Sequence, residues 1–269
     1  MNVSRLLFAA AMALPCAAAA QLEHYDTPPI VEGKDVIWVP TPDHAVDRML
    51  ALARVGPHDL VVDLGSGDGR IPIVAAKRFG ARGLGIEYSA DLVAVSRRNA
   101  RAEGVADRVR FVRADFFEAD FRDATVVTLY LLSSLNVKLR PKILDMKPGT
   151  RVVSHVFRMG DWEPDETLNL GASELFLWRV PAKVDGRWRV TAAGSAPFEL
   201  AIEQRYQRLA GRAIAEGGRF PLQARLSGDE IRFAYADARG IQQAFVGRVA
   251  GPRMESADGA WSAVRAATN

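Results

Sequence analysis

The chain has 269 residues, 49% apolar and 25% charged, enough for one full α/β domain and something smaller beside it. Its net charge of +3 is scattered rather than clustered, so a nucleic-acid partner is not expected. A single cysteine, Cys16, excludes an intrachain disulfide or a cysteine metal centre, and His24, His44, His58 and His155 show no ligand spacing, so no metal is expected.

Residues 1–20 read as a secretory signal: Arg5, then an apolar stretch broken by Pro15, then Ala18-Ala19-Ala20 ahead of Gln21. Cleavage there would send the chain to the periplasm, and an uncleaved segment would anchor it at a membrane. Residues 21–40 are polar and proline-bearing and read as a surface extension. Thr41 is placed to cap a helix with Pro42 at its first position and Val46, Met49, Leu50 and Ala53 on one face. A first strand follows at 60–64, a helix at 70–79 and a second strand ending at Glu87. Ser89 caps the next helix and Gly104 ends it. A third strand runs from 109 to Asp115 and a fourth over 125–130. A helix carrying Leu139, Ile143 and Met146 leads through Lys147-Pro148-Gly149 into a fifth strand at 150–157. Apolar strands alternating with helices predict a Rossmann-like, doubly wound, mostly parallel sheet, whose ligands bind beyond the carboxyl ends of the strands.

The chemistry concentrates on those ends. Asp63-Leu64-Gly65-Ser66-Gly67-Asp68-Gly69-Arg70 turns from strand to helix on glycines, which let a ligand approach bare backbone. A dinucleotide fingerprint would put a third small residue where Arg70 stands, and no Gly-Lys-Ser/Thr follows to make a phosphate loop. Glu87 lies roughly 20 residues past the loop, where a βαβ unit sets a carboxylate against ribose hydroxyls. The loop resembles the first motif of class I S-adenosylmethionine (SAM) methyltransferases. That resemblance implies SAM as cofactor, held by Asp63, Gly65, Ser66, Gly67, Gly69, Glu87, Tyr88, Asp115 and Phe116. Asp63 would offset the methionine ammonium, Asp115 would accept from the adenine amino group, Phe116 would cover the ring, and Asp68 is expected to face solvent. Val39-Pro40-Thr41-Pro42, residues 63–71 and Asp161-Trp162-Glu163-Pro164-Asp165 together resemble a group of seven-strand protein-lysine methyltransferases whose eukaryotic members are tethered to mitochondrial membranes. The resemblance covers residues 35–180.

Methyl transfer from a sulfonium needs alignment above all, because the leaving group departs neutral. The segment after the fourth strand faces the methyl group in this fold, which makes Tyr130 and Asn136 the candidate catalytic residues. Core packing and helix capping are their structural alternatives. Trp162 is read either as a cover for a substrate side chain or as core.

From about residue 173 the pattern changes. Glu174-Leu175-Phe176-Leu177-Trp178 and Trp188-Arg189-Val190 read as an antiparallel pair completing the seven-strand sheet. Beyond Ala193, short alternating strands separated by Gly217-Gly218, Ser227-Gly228-Asp229, Arg239-Gly240 and Gly251-Pro252 read as a small antiparallel β-meander. Gly186-Arg187-Trp188 resembles the start of a lipocalin. The expected organisation is a signal at 1–20, an extension at 21–40, the methyltransferase domain at 41–193 and the β-rich appendage at 194–269. The expected activity is SAM-dependent methylation of a protein lysine or a small molecule by a monomer or weak oligomer. An exported, non-catalytic Rossmann-like binding module is the alternative.

Overall fold

Short apolar runs bounded by glycine or proline build the first half of the chain, and their alternation with helices decides its topology. The computed structural model describes residues 38–266, so the expected signal and most of the extension lie outside the described residues. Strands β1 (Leu60–Leu64), β2 (Arg82–Glu87), β3 (Val109–Arg113), β4 (Val126–Leu129), β5 (Arg151–His155), β6 (Glu166–Asn169) and β7 (Glu174–Arg179) form one sheet in the order β3-β2-β1-β4-β5-β7-β6. The first five are parallel, and β7 and β6 run antiparallel. Helices α1 (Asp43–Leu52), α2 (Arg70–Phe79), α3 (Ala90–Ala102) and α4 (Ser133–Leu144) accompany it. The strand order reverses between β1 and β4, which opens a crevice at their carboxyl ends.

The expected doubly wound sheet is therefore present, with local corrections. Pro42 is the N-cap of α1, one residue later than expected, and no side chain bonds there. The partner of β7 is β6, whose half-exposed ETLN pattern carries too little apolar alternation to announce a strand. The Trp188 strand belongs elsewhere. Strand β8 (Gly186–Ala192) leaves the first sheet and begins a second, so the change of architecture falls before Gly186 rather than at 194.

That second sheet contains β8, β9 (Phe198–Arg205), β10 (Arg208–Ala215), β11 (Gly218–Pro221), β12 (Gln223–Ser227), β13 (Glu230–Ala236), β14 (Gln242–Ala250), β15 (Arg253–Glu255) and β16 (Trp261–Arg265). It is more than a meander. Strand β9 pairs with both β8 and β10, so the sheet closes into a barrel, with the short β11 carried on β10 outside the closed ring. Alternate residues face inward and fill it: Trp188, Phe198, Leu200, Phe233, Phe245 and Trp261 are buried together. The Phe233 and Phe245 rings stack 4.7 Å apart with Trp261 edge-on. Arg265 closes one end, its guanidinium 4.5 Å from the Trp188 ring and hydrogen-bonded to the Lys183 and Asp185 carbonyls.

The turn between β9 and β10 docks on the first domain. Tyr206 stacks on Trp162 at 5.8 Å, and Trp162 Nε1 donates to Gln207 Oε1 at 2.9 Å. Trp178 Nε1 donates to the Trp162 carbonyl at 2.7 Å. Trp162 is fully buried by these contacts, which settles its role as packing. Asp161 binds Arg140 and Arg205, and these pairs hold its carboxyl well below the usual range. Among the described residues, no helix is long and apolar enough to cross a membrane.

Candidate active site

The crevice at the carboxyl ends of β1, β2 and β4 is an open cleft. Asp63, Gly65, Ser66, Glu87, Tyr88, Asp115, Phe116 and Tyr130 all line it. Thus most of the residues predicted from the resemblance converge on one cavity.

Each is placed by its strand. Asp63 lies opposite Thr128 in the β1/β4 register, and Thr128 Oγ1 donates to its carboxylate at 2.7 Å. Burial raises the Asp63 pKa to about 7, against the Thr128 bond and with the charges of Asp68 and Glu87 adding to the rise. Glu87 closes β2 and holds the glycine loop: Gly67 N donates to one oxygen at 2.9 Å and Ser89 N to the other at 2.8 Å. Each oxygen keeps a second lone pair, which suits a vicinal diol. Asp115 sits beyond β3 and anchors its own turn, accepting from Phe117 N at 2.9 Å beside Phe116.

Two glycines in the loop are required by packing. Gly67 has φ +54°, and a Cβ there would fall inside the Trp38 indole. Gly69 has φ +84° as the left-handed N-cap of α2, and its Cβ would lie 2.6 Å from Phe111. Neither lines the cleft; both shape it from behind.

Asp68 corrects the solvent-facing expectation. It is buried, and Arg70 grips its carboxylate through Nη2 at 2.7 Å and Nε at 3.1 Å. Arg70 also donates to the Thr41 carbonyl at 2.9 Å and to Asp43 at 3.1 Å. The residue that breaks the dinucleotide pattern thus ties the segment before α1 to the glycine loop. That segment brings Trp38, Val39, Pro40 and Thr41 into the cleft wall. Sequence reasoning missed these as site residues; the only signal was the Val39-Pro40-Thr41-Pro42 string itself.

Asn136 does not line the cleft. It is fully buried in α4, and its Nδ2 donates to the Phe157 carbonyl at 3.2 Å and to Ser154 Oγ at 3.4 Å, so it braces the chain beyond β5. Tyr130 does line the cleft, and its ring lies 4.5 Å from that of His155.

The chemistry of the lining suits a SAM-type nucleoside. Ser66 Oγ is buried at its wall with no hydrogen-bond partner among the described residues. Four carboxylates, Asp63, Asp68, Glu87 and Asp115, line it against one arginine, which Asp68 already engages. Such a lining favours a cationic ligand with hydroxyls and an amino group to donate.

Comparison with known proteins agrees. Residues 63–166 match a family model described as the ANTKMT methyltransferase domain. A protein-lysine N-methyltransferase of Saccharolobus islandicus is 44% identical over 137 residues, covering 50% of this chain and 85% of the relative. An adenine nucleotide translocase lysine N-methyltransferase of Mus musculus is 34% identical over 137 residues, covering 50% of this chain and 59% of the relative. A crystal structure of an RNA methyltransferase from Salinibacter ruber, in complex with S-adenosyl-L-homocysteine, superposes with a TM-score of 0.54 at 55% identity, covering 54% of this chain and 96% of that one.

Proposed function

Because this chain belongs to the ANTKMT family of SAM-dependent methyltransferases, we propose that its methyl acceptor is the side-chain amine of a protein lysine. SAM held in the cleft would supply an electrophilic methyl group on a sulfonium, whose sulfur is left as a neutral thioether once the acceptor amine has taken the methyl. Glu87 would bind the ribose hydroxyls, Asp115 with Phe116 the adenine, and Asp63 the ammonium of the methionine end. Tyr130 stands at the end of β4 with a hydroxyl able to accept a hydrogen bond from an entering amine and so align its lone pair. The apolar surroundings of Leu131 and Leu135 favour the uncharged amine that the attack requires.

One observation carries the choice of acceptor: the Saccharolobus islandicus relative, 44% identical and matched over 85% of its length, is a protein-lysine N-methyltransferase. The Salinibacter ruber structure is that of an RNA methyltransferase and favours RNA instead, so both acceptors belong in the test. The full chain is incubated with methyl-tritiated SAM and, separately, total cellular protein or total RNA. The reading expects label on protein that is recovered as methyl-lysine after acid hydrolysis. Label confined to RNA or to small molecules would overturn it.

A further inference from the structure

The expected fifth strand, 150–157, stops early: β5 ends at His155, and Val156 has a φ of +68°. Phe157 N donates back to the His155 carbonyl at 2.8 Å. A positive φ closed by a hydrogen bond two residues apart is the pattern of the rarer, strained γ-turn. A β-branched residue is the least suited to it, because left-handed backbone crowds its Cβ. The turn is held from several sides. Val156 N donates to the Glu174 carbonyl at 2.8 Å. The Phe157 carbonyl accepts from Ser154 Oγ at 2.7 Å and from Asn136 Nδ2 at 3.2 Å. Strain kept in place by this many bonds points to a function for the shape.

The shape it makes is aromatic. The residues on either side of Val156 meet the same ring: Tyr130 lies 4.5 Å from His155 and 5.9 Å from Phe157, the latter nearly parallel at 30°. Tyr130 is shared between this cluster and the cleft, while Phe157 lies outside the cleft lining. Val156 is exposed on the turn, and so is Leu132, next to the cleft-lining Leu131. His155 is buried, its Nε2 engaged by Ser173 Oγ at 3.1 Å and its Nδ1 without a partner among the described residues. Burial, with His44 nearby, lowers its pKa, so it sets no positive charge against an incoming cation.

We propose that Tyr130 and Phe157, stacked on each other and set by the γ-turn at Val156, form an aromatic wall for the acceptor's side chain, which lays its methylene groups and terminal amine against the exposed ring surface. Ring faces suit this ligand because they accept both apolar chain and a cationic or partly charged nitrogen. Asn136 and Ser154 are positioning residues that act through the turn. The inference rests on the amine-acceptor reading above.

The test uses the full chain and two probes, read by titration calorimetry. One is the analogue of S-adenosylhomocysteine with a methyl-bearing nitrogen in place of sulfur. The other carries an aminobutyl arm on that nitrogen instead of the methyl. In the unsubstituted protein the arm is expected to tighten binding by about tenfold, the scale of a partly desolvated cation–π contact. Phe157→Ala and Phe157→Leu are expected to lose that gain while still binding the methyl-bearing analogue, which also reports that they fold. Phe157→Tyr, which keeps the ring, should restore it. A gain that persists in Phe157→Ala, or an arm that adds nothing in the unsubstituted protein, would overturn the aromatic wall and leave the methyltransferase reading standing. Failure of the unsubstituted protein to bind either probe would take both down.

Discussion

Replacing Asp63 with Asn tests the electrostatics of the cleft floor. Asp63 is buried, bonded to Thr128 and faced by Asp68 and Glu87, and its pKa rises from 3.8 to about 7. The folded state therefore holds a proton that the unfolded chain releases once the pH passes the ordinary carboxylate value. Stability falls as pH climbs through that window and levels off above about 7. A rise from 3.8 to about 7 corresponds to about 4 kcal/mol of stability withheld in the ionised protein. Asn keeps the Thr128 bond, since its Oδ1 can accept from the same hydroxyl, but carries no charge. Asp63→Asn should thus be more stable than the unsubstituted protein by about 4 kcal/mol near pH 8, and by close to nothing near pH 4. Urea unfolding at both pH values measures this directly. The variant should also bind SAM more weakly at the higher pH, where the lost charge would have faced the methionine ammonium. An equal stability change at both pH values, or destabilisation at the higher one, would refute the buried-carboxylate account.

Three further outcomes follow from the same geometry. Glu87→Ala strips two backbone N–H groups of their acceptor and should lower S-adenosylhomocysteine affinity by about tenfold or more in calorimetry; unchanged affinity would separate Glu87 from the site. Gly67→Ala puts a Cβ into Trp38 at a left-handed φ, so it should cost about 1–2 kcal/mol in unfolding experiments and expose the indole, seen as a red shift in fluorescence. Trp261→Ala empties the barrel centre beside Phe233 and Phe245 and should destabilise the barrel by about 3–5 kcal/mol, measured by calorimetric unfolding.

The parallel half of the molecule was readable because its signals are local. Apolar runs closed by glycine, the Ser89 cap and the acids at strand ends each speak for the residues beside them, and Ser89 does accept from Leu92 N. What escaped depends on partners far along the chain. Trp188 reads as a strand from its neighbours alone, but which sheet it joins is decided by Leu200 and Arg265 across from it. Barrel closure rests on β9 pairing with two strands at once, which no local pattern encodes. Asp68 reads as exposed until Arg70 turns back on it, and Arg70 reaches Thr41 only because α2 packs beside α1. The γ-turn was hidden more deeply, since valine is a strand former and the run 150–157 is apolar enough to continue straight.

The central claim is that a SAM-type nucleoside lies along the carboxyl rim of the seven-strand sheet. A crystal structure of the full chain with S-adenosylhomocysteine tests it most directly. The account predicts the ribose on Glu87, the adenine between Asp115 and Phe116, and the amino-acid tail toward Asp63 and the glycine loop. A ligand bound elsewhere, or a rim in which those carboxylates turn away from the nucleoside, would contradict it.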